Sequence, residues 1–211
     1  MPTRPLLCQA HAWLACSFTS EWFRSEPGWV ERCLPPIERA FELDENDSEV
    51  NRIHGVVCHL RRDFQQARFF HRRARDLNPN DSGIAAVCAR FWSFDGDFDE
   101  ACRCMEAAAR PDPLMPWWQR EIRGMVCYAA DRHSEVVDEV ERMARRSLWA
   151  ATFEAASAAA LGQRDKARHA VAQAQAIKPD LSSEWIGMAL PFSEKSRADL
   201  FTARLREAGL A

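Results

Sequence analysis

The chain has 211 residues, of which 47% are apolar, so it can bury a hydrophobic core and form one domain or two. Its formal net charge of -3 excludes the strongly positive balance of a general nucleic-acid or anionic-membrane binder. We therefore predict no nucleic-acid partner and no membrane partner.

Eight cysteines are spread along the chain, and most of them fall inside helical patterns. In a chain of this length that distribution favours reduced thiols over a disulfide framework. The N-terminal stretch MPTRPLLCQAHAWLACSF lacks the apolar core of an export signal, because Gln9 and His11 interrupt it. No apolar run approaches the ~18–20 residues that span a bilayer. The expected location is the cytoplasm.

The first predicted helical unit covers about residues 8–47. Helical periodicity dominates here and in the rest of the chain, and no segment alternates long enough to predict a strand. An insert rich in tryptophan, residues 19–36, lengthens this unit. Pro35 and Pro36 cannot lie inside a helix without cost, so we expect them to open a late-starting second helix.

Four further units follow with a period near ~34 residues. They span residues 48–81, 82–116, 117–147 and 148–181. In each unit, small residues at equivalent positions of two successive helices allow the backbones to approach closely, as at Gly55 and Ala67. A proline ends three of the four units and turns the chain into the next one. Ser147 is the expected cap of the helix that opens the last unit.

The final segment, residues 190–211, departs from this frame and predicts a capping helix. Ser193 is its expected N-terminal cap, and Leu200, Phe201 and Leu205 belong to the face expected to dock. A stack of repeated helix pairs needs such a cap, because its final unit would otherwise expose its core.

The frame of these units resembles the tetratricopeptide repeat, a helix–turn–helix unit of about 34 residues. FDGDFDEACRCMEAAARPDP at residues 94–113 and LGQRDKARHAVAQAQAIKPD at residues 161–180 match it most closely. The resemblance implies a single all-α domain over residues 1–211. Its expected architecture is a right-handed α-solenoid of about five helix pairs plus a C-terminal capping helix.

The order of parts is also similar to a bacterial family in which such repeats follow a class III adenylate/guanylate cyclase domain or a winged-helix DNA-binding domain. The terminal motif LPFSEKSRADLFTARLREAGL, residues 190–210, carries much of this resemblance. The matching region holds no catalytic residues in that family, so none is carried over. Two functions remain open: a scaffold that binds a protein or peptide, and a regulatory module that acts on a separate output domain.

Candidate sites for chemistry are sparse. Cys102 and Cys104 are two residues apart, and on a helix such side chains point roughly 200° away from each other, which prevents them from sharing one metal ion. The histidines show no ligand spacing, and the chain has neither a glycine-rich phosphate loop nor a nucleophile elbow. We therefore predict no metal, no cofactor and no catalytic activity.

The second helix of the unit 48–81 carries a basic run. It consists of Arg68, His71, Arg72, Arg73 and Arg75. Second helices line the convex side of this architecture, so we interpret the run as a solvated face, with Phe69 and Phe70 packed inward. Phosphate binding is the alternative interpretation.

The resemblance places a partner on the concave face, which the first helix of each unit lines. The predicted groove residues are Arg52, His59, Arg90, Phe94, Trp118, Glu121, Met125, Tyr128 and Trp149. An aromatic groove with two arginines suits a short apolar or amphipathic protein segment that carries an acid. Two alternatives stay open: the tryptophans could fill gaps between units, and exposed aromatics could form a homodimer.

Overall fold

The computed structural model describes residues 4–23, 28–110 and 114–211, and within these ranges the chain forms twelve α-helices and no strand. The helices are α1 (Arg4–Phe23), α2 (Trp29–Leu43), α3 (Ser48–Leu60), α4 (Phe64–Leu77), α5 (Ser82–Asp95), α6 (Phe98–Ala109), α7 (Trp117–Ala129), α8 (His133–Glu141), α9 (Leu148–Ala160), α10 (Arg164–Ile177), α11 (Ser183–Ala189) and α12 (Lys195–Glu207). The first ten pack as five consecutive pairs. Part of the predicted insert (24–27) and the predicted helix stop at Pro113 lie outside the described residues.

Short polar side chains define where many of these helices begin, because they accept hydrogen bonds from first-turn N–H groups. Four successive helices, α3 to α6, are capped by Asp47, Asp63, Asp81 and Asp97. Ser147 caps α9 by accepting from the Ala150 N–H at 3.0 Å, which confirms the cap predicted there.

The turn inside a helix pair uses one residue with a left-handed backbone. In two of the four pairs from α3 to α10 this residue is glycine, Gly96 (φ 94°) and Gly162 (φ 72°), which adopts the conformation without strain. In the α7–α8 turn it is Asp131 (φ 57°), and in the α3–α4 turn it is Arg62 (φ 62°). The left-handed conformation costs a residue with a Cβ atom about 1–2 kcal/mol of free energy. Contacts of the Arg62 side chain are therefore needed to offset this cost.

Helix α2 begins earlier than the sequence suggests. It starts at Trp29, so Pro35 and Pro36 lie inside it, and the expectation that they open the helix is wrong. Each proline removes one intrahelical N–H donor. Fully buried Ile37 and Ala40 follow the prolines and pack in one cluster with residues of α1 and α3. This tertiary packing stabilises the helix across the prolines.

The small residues of the repeat form a buried packing stripe, as predicted. Its alanines are at most 1% exposed: Ala67, Ala74, Ala101, Ala108, Ala167 and Ala174. The approach is closest at Gly55, where a Cβ atom would lie 2.9 Å from Cε1 of His71. His71 is itself only 1% exposed, so it is a core residue and not part of a solvated face.

Arg68 and Arg72 of the basic run are exposed, in line with a solvated face, and Arg68 and Arg73 also connect neighbouring helix pairs. Arg68 donates two hydrogen bonds to the carboxylate of Asp95, at 2.7 and 2.9 Å. Arg73 donates to the Asn46 side chain at 2.8 Å. Phe69 is 52% exposed, so the inward packing predicted for it is wrong.

The C-terminal region contains two helices where the sequence predicts one. The non-helical segment Leu190–Ser193 separates α11 from α12, and Glu194, not Ser193, is the residue that precedes α12. Phe201 is fully buried as predicted, whereas Leu200 is 47% exposed. Helix α12 packs on α9, the first helix of its pair. The C-terminal helix therefore lies on the concave side.

Candidate binding groove

Six of the nine predicted groove residues meet at one cavity on the concave face. They are His59, Arg90, Phe94, Glu121, Met125 and Trp149, and Leu60, Leu190 and Pro191 complete the lining. The six come from α3, α5, α7 and α9, because the first helices of successive pairs lie side by side. The cavity has about 50 Å³ of free space, which is room for only a few water molecules.

The chain's own segment Leu190–Ser193 fills much of this groove. Leu190 is 3% exposed, and Pro191 and Phe192 are also buried. The Phe192 ring packs edge-on against Phe94, with ring centroids 4.8 Å apart. The backbone is extended at Leu190 (φ -76°, ψ 124°), the conformation that a following proline favours.

The His59 side chain contacts the backbone of the segment Leu190–Ser193. Its Nε2–H donates to the Pro191 carbonyl oxygen at 3.1 Å, which fixes the tautomer of the ring. Burial, and then the positive charge of Arg90, lowers the pKa of His59 to about 3. The ring is therefore a neutral donor at physiological pH.

Arg62 binds three carbonyl groups of the C-terminal region. Its guanidinium donates to the oxygens of Met188 at 2.9 Å, Leu190 at 3.2 Å and Phe192 at 3.3 Å. The first two belong to the end of α11, where unpaired carbonyls attract a cation. These bonds offset the cost of the left-handed backbone at Arg62.

Ser193 is bound to the end of α5. Its N–H donates to the Phe94 carbonyl at 3.0 Å, and its hydroxyl donates to the Asp95 carbonyl at 2.9 Å. The last carbonyls of a helix have no partner within the helix. Ser193 therefore completes the hydrogen bonding of α5 instead of capping α12.

Arg90 and Glu121 are the charged residues of the cavity lining. Arg90 is partly buried, and its side chain donates no hydrogen bond to any residue of the described ranges. Burial lowers the pKa of Arg90, and the charge of Glu121 acts in the opposite direction. Burial raises the pKa of Glu121, whose carboxylate accepts a hydrogen bond from Ser147. Arg90 thus retains donors for an additional anionic group.

Arg52, the second predicted groove arginine, does not line the cavity. It donates two hydrogen bonds to Glu49, at 2.7 and 2.6 Å, and its guanidinium lies 5.6 Å from the ring centre of Trp13. Its hydrogen-bonding capacity is therefore already used in part by its own helix.

Tyr128 lies beneath α12 and is not open to a partner in this structure. Its hydroxyl accepts a hydrogen bond from Arg204 at 3.0 Å, and its ring packs edge-on against Phe201, with centroids 5.0 Å apart. Burial raises the pKa of Tyr128 to about 12. Its role here is to hold the C-terminal helix.

The two predicted tryptophans lie in different environments. Trp149 lines the cavity, is 7% exposed and stacks on Trp185 with ring centroids 5.9 Å apart. Trp118 is partly buried, packs against the core around α5 and α6, and does not line the cavity. Trp118 therefore fills space between helix pairs and does not occupy the groove position predicted for it.

Neither the role of Arg62 nor the position of Leu190 and Pro191 in the groove was predicted from the sequence. One signal for Arg62 was present, because the same turn position holds Gly96 and Gly162 in two other pairs. An arginine at a position that favours glycine indicates a specific use of its side chain. No local pattern indicates that Pro191 lies against His59, since 132 positions separate the two residues.

Within the described ranges, no group of three or more histidine, cysteine, aspartate or glutamate side chains could hold a metal ion. The same residues contain no helix that is both long and apolar enough to cross a bilayer. No disulfide joins any two of the eight cysteines, all of which lie in the described ranges.

No protein-family model and no curated protein sequence matches the chain. Solved structures that resemble it include one from a functional characterisation of Pseudomonas aeruginosa PilF, with a TM-score of 0.66 and 15% sequence identity, covering 98% of this chain and 90% of that one. PilW, a widely conserved type IV pilus biogenesis factor, also has a TM-score of 0.66 and 15% identity, with 95% and 90% coverage. These likenesses confirm the predicted fold class, an all-α solenoid of the tetratricopeptide type.

Proposed function

We propose that this chain is a non-catalytic protein-interaction scaffold that binds a peptide or protein segment in its concave groove. The observation that carries the proposal is the position of the chain's own segment Leu190–Ser193. Its backbone carbonyls accept hydrogen bonds from Arg62 and His59, while its side chains fill apolar space beside Phe94. Main-chain hydrogen bonds combined with side-chain pockets are a recurring mode of peptide recognition.

The charge of the groove adds to this proposal. Arg90 has free donors and lies beside apolar lining residues such as Met125 and Trp149. An acidic group on a mostly apolar segment would pair with Arg90, and burial would strengthen that pair. The pilus biogenesis role of PilW favours protein partners for this chain too.

A selection of random peptides displayed on phage, with the immobilised full chain as bait, tests this function. We expect enriched apolar peptides with an acidic residue, whose affinity for Arg90→Gln is at least tenfold weaker than for the wild type. Arg103→Gln is the matched control, since Arg103 is exposed on α6 and should leave binding unchanged. Failure to enrich any peptide, or equal binding to Arg90→Gln and wild type, would contradict the proposal.

A further inference from the structure

Two kinds of contact hold the segment Leu190–Ser193. The first kind reaches only its backbone: Arg62 binds the carbonyls of Leu190 and Phe192, and His59 binds that of Pro191. Such contacts would hold the backbone of any segment with this extended shape. They give affinity without selecting a sequence.

The second kind of contact selects particular side chains. Phe192 lies between the rings of Phe94 and Phe201, at centroid distances of 4.8 and 6.0 Å. Pro191 has no N–H group that burial would leave unpaired. The Ser193 hydroxyl satisfies the Asp95 carbonyl at the end of α5. The groove is therefore complementary to an apolar residue followed by proline, an aromatic residue and a hydroxyl residue.

The segment is bordered by exposed residues. Met188 on one side is 65% exposed, and Glu194, Lys195 and Ser196 on the other side are also exposed. The helices α3 and α5 that receive the segment are stabilised by their own pairs, α4 and α6. Local opening of residues 188–196 would therefore leave the groove walls folded.

We infer that the groove binds an extended segment of apolar–proline–aromatic–hydroxyl chemistry from another protein, and that Leu190–Ser193 competes with it as a tethered internal ligand. This inference rests on the proposed function, because it names the partner's chemistry and the regulation of the same groove. The small remaining cavity supports it, since about 50 Å³ leaves little room beside the internal segment, which a partner segment would therefore have to displace.

A fluorescent peptide with the sequence IGMALPFSEKS, residues 186–196, can be titrated with the full chain and followed by fluorescence anisotropy. Phe192→Ala weakens the internal segment and leaves the groove walls intact, so we expect this variant to bind the peptide at least tenfold more tightly than wild type. Adding Arg62→Gly should abolish binding, because glycine suits the turn but cannot bind the carbonyls. Arg61→Ala, at the exposed neighbouring position, is the control for Arg62 and should leave binding unchanged.

The outcomes separate this inference from the proposed function. Equal peptide affinity for wild type and Phe192→Ala would overturn the competition. No binding to a Phe192→Ala variant with an unchanged circular dichroism spectrum would overturn the partner chemistry, while phage-selected peptides of other sequences would leave the proposed function standing.

Amide hydrogen exchange of the wild-type chain tests the release of the segment without any substitution. The Ser193 amide, which donates to Phe94, should exchange at least tenfold faster than the core amides of α5. If the Ser193 amide and the core amides of α5 exchange at the same rate, through global unfolding, the segment is not released on its own and the inference is contradicted.

Discussion

At the scale of single residues, the contact between Gly55 and His71 determines how closely α3 and α4 approach. A Cβ atom at Gly55 would lie 2.9 Å from the His71 ring, whereas one at Gly124, an equivalent position in α7, would lie 4.0 Å from Val136. We expect Gly55→Ala to lower the free energy of unfolding by about 1–3 kcal/mol, because overpacking outweighs the better helix propensity of alanine.

Urea unfolding of both alanine variants measures the difference. Gly124→Ala serves as the matched control and should be neutral or up to about 1 kcal/mol more stable than wild type, since only helix propensity changes there. Similar destabilisation by both substitutions would show that the contact with His71 is not the cause.

The buried histidines predict a dependence of stability on pH. Burial lowers the pKa of His59 to about 3 and that of His71 well below 6.5. Below pH ~6.5 the unfolded chain binds protons that the folded chain does not bind, so the stability contributed by each neutral histidine is present above that pH. This stability is lost as the pH falls toward the pKa of the histidine in the folded chain, by about 1.4 kcal/mol per pH unit for each histidine.

Denaturant unfolding at pH 7 and pH 5 tests this loss. The substitution His59→Gln retains an N–H donor for the Pro191 carbonyl but removes one titrating group, so the variant should lose about 2 kcal/mol less than wild type over this interval. His169→Gln, on the exposed face of α10, is the control and should lose as much as wild type. An identical loss for wild type and His59→Gln would exclude His59 as a source of acid sensitivity.

At the scale of helices, Phe201 is the largest fully buried side chain of α12. Phe201 is fully buried and packs 5.0 Å from Tyr128 and 4.7 Å from Phe153, measured between ring centroids. We expect Phe201→Ala to lower the free energy of unfolding by about 3–5 kcal/mol, because it leaves a cavity between α12, α7 and α9.

Leu200→Ala is the comparison for this prediction, since Leu200 is adjacent and 47% exposed. Its unfolding free energy should stay within about 0.5 kcal/mol of wild type. If thermal or urea unfolding shows equal effects for the two variants, α12 is docked through a different face.

The helices that could be predicted from the sequence are those that local patterns of residue spacing encode. The alanine stripe and the spacing of small residues predict an all-helical solenoid, because those residues act within about one helix pair. Helix α11 was missed because it has only seven residues, too few for a periodic pattern. The early start of α2 was missed because packing outweighs the local cost of Pro35 and Pro36.

The candidate groove was less accessible to sequence reasoning. Positions such as His59 and Trp149 could be assigned from the repeat frame, and both line the cavity. The covering of Tyr128 by α12 and the insertion of Leu190–Ser193 depend on contacts over 76 positions or more. No short-range pattern encodes such contacts.

At the scale of the whole molecule, the accessibility of the cysteine thiols is a measure of how closely the folded chain is packed. Six of the eight are buried, and only Cys16 and Cys102 are partly exposed. Burial raises the pKa of Cys58 and Cys104 to about 12, which suppresses their reactive thiolate form. Ellman's reagent should therefore modify two thiols rapidly in the native chain and all eight in denaturant without reductant.

The unfolded sample is the internal control for this count. Fewer than eight reactive thiols in denaturant would indicate a disulfide and contradict the reduced state. Rapid modification of more than two thiols in the native chain would show that helix pairs open more readily than their packing suggests.

The bonds from Arg62 to residues 188–192 also affect how the molecule comes apart. An ordinary stack of repeats frays from either end, because each repeat contacts only its neighbours. Here residues 126–130 positions apart are joined, so helices α4 to α10 lie inside a closed loop of chain. Closing such a loop is entropically costly and slow, but as long as residues 188–192 stay bound to Arg62 the loop resists stepwise unravelling from the C-terminal end. Most of the solenoid should therefore unfold as one cooperative block.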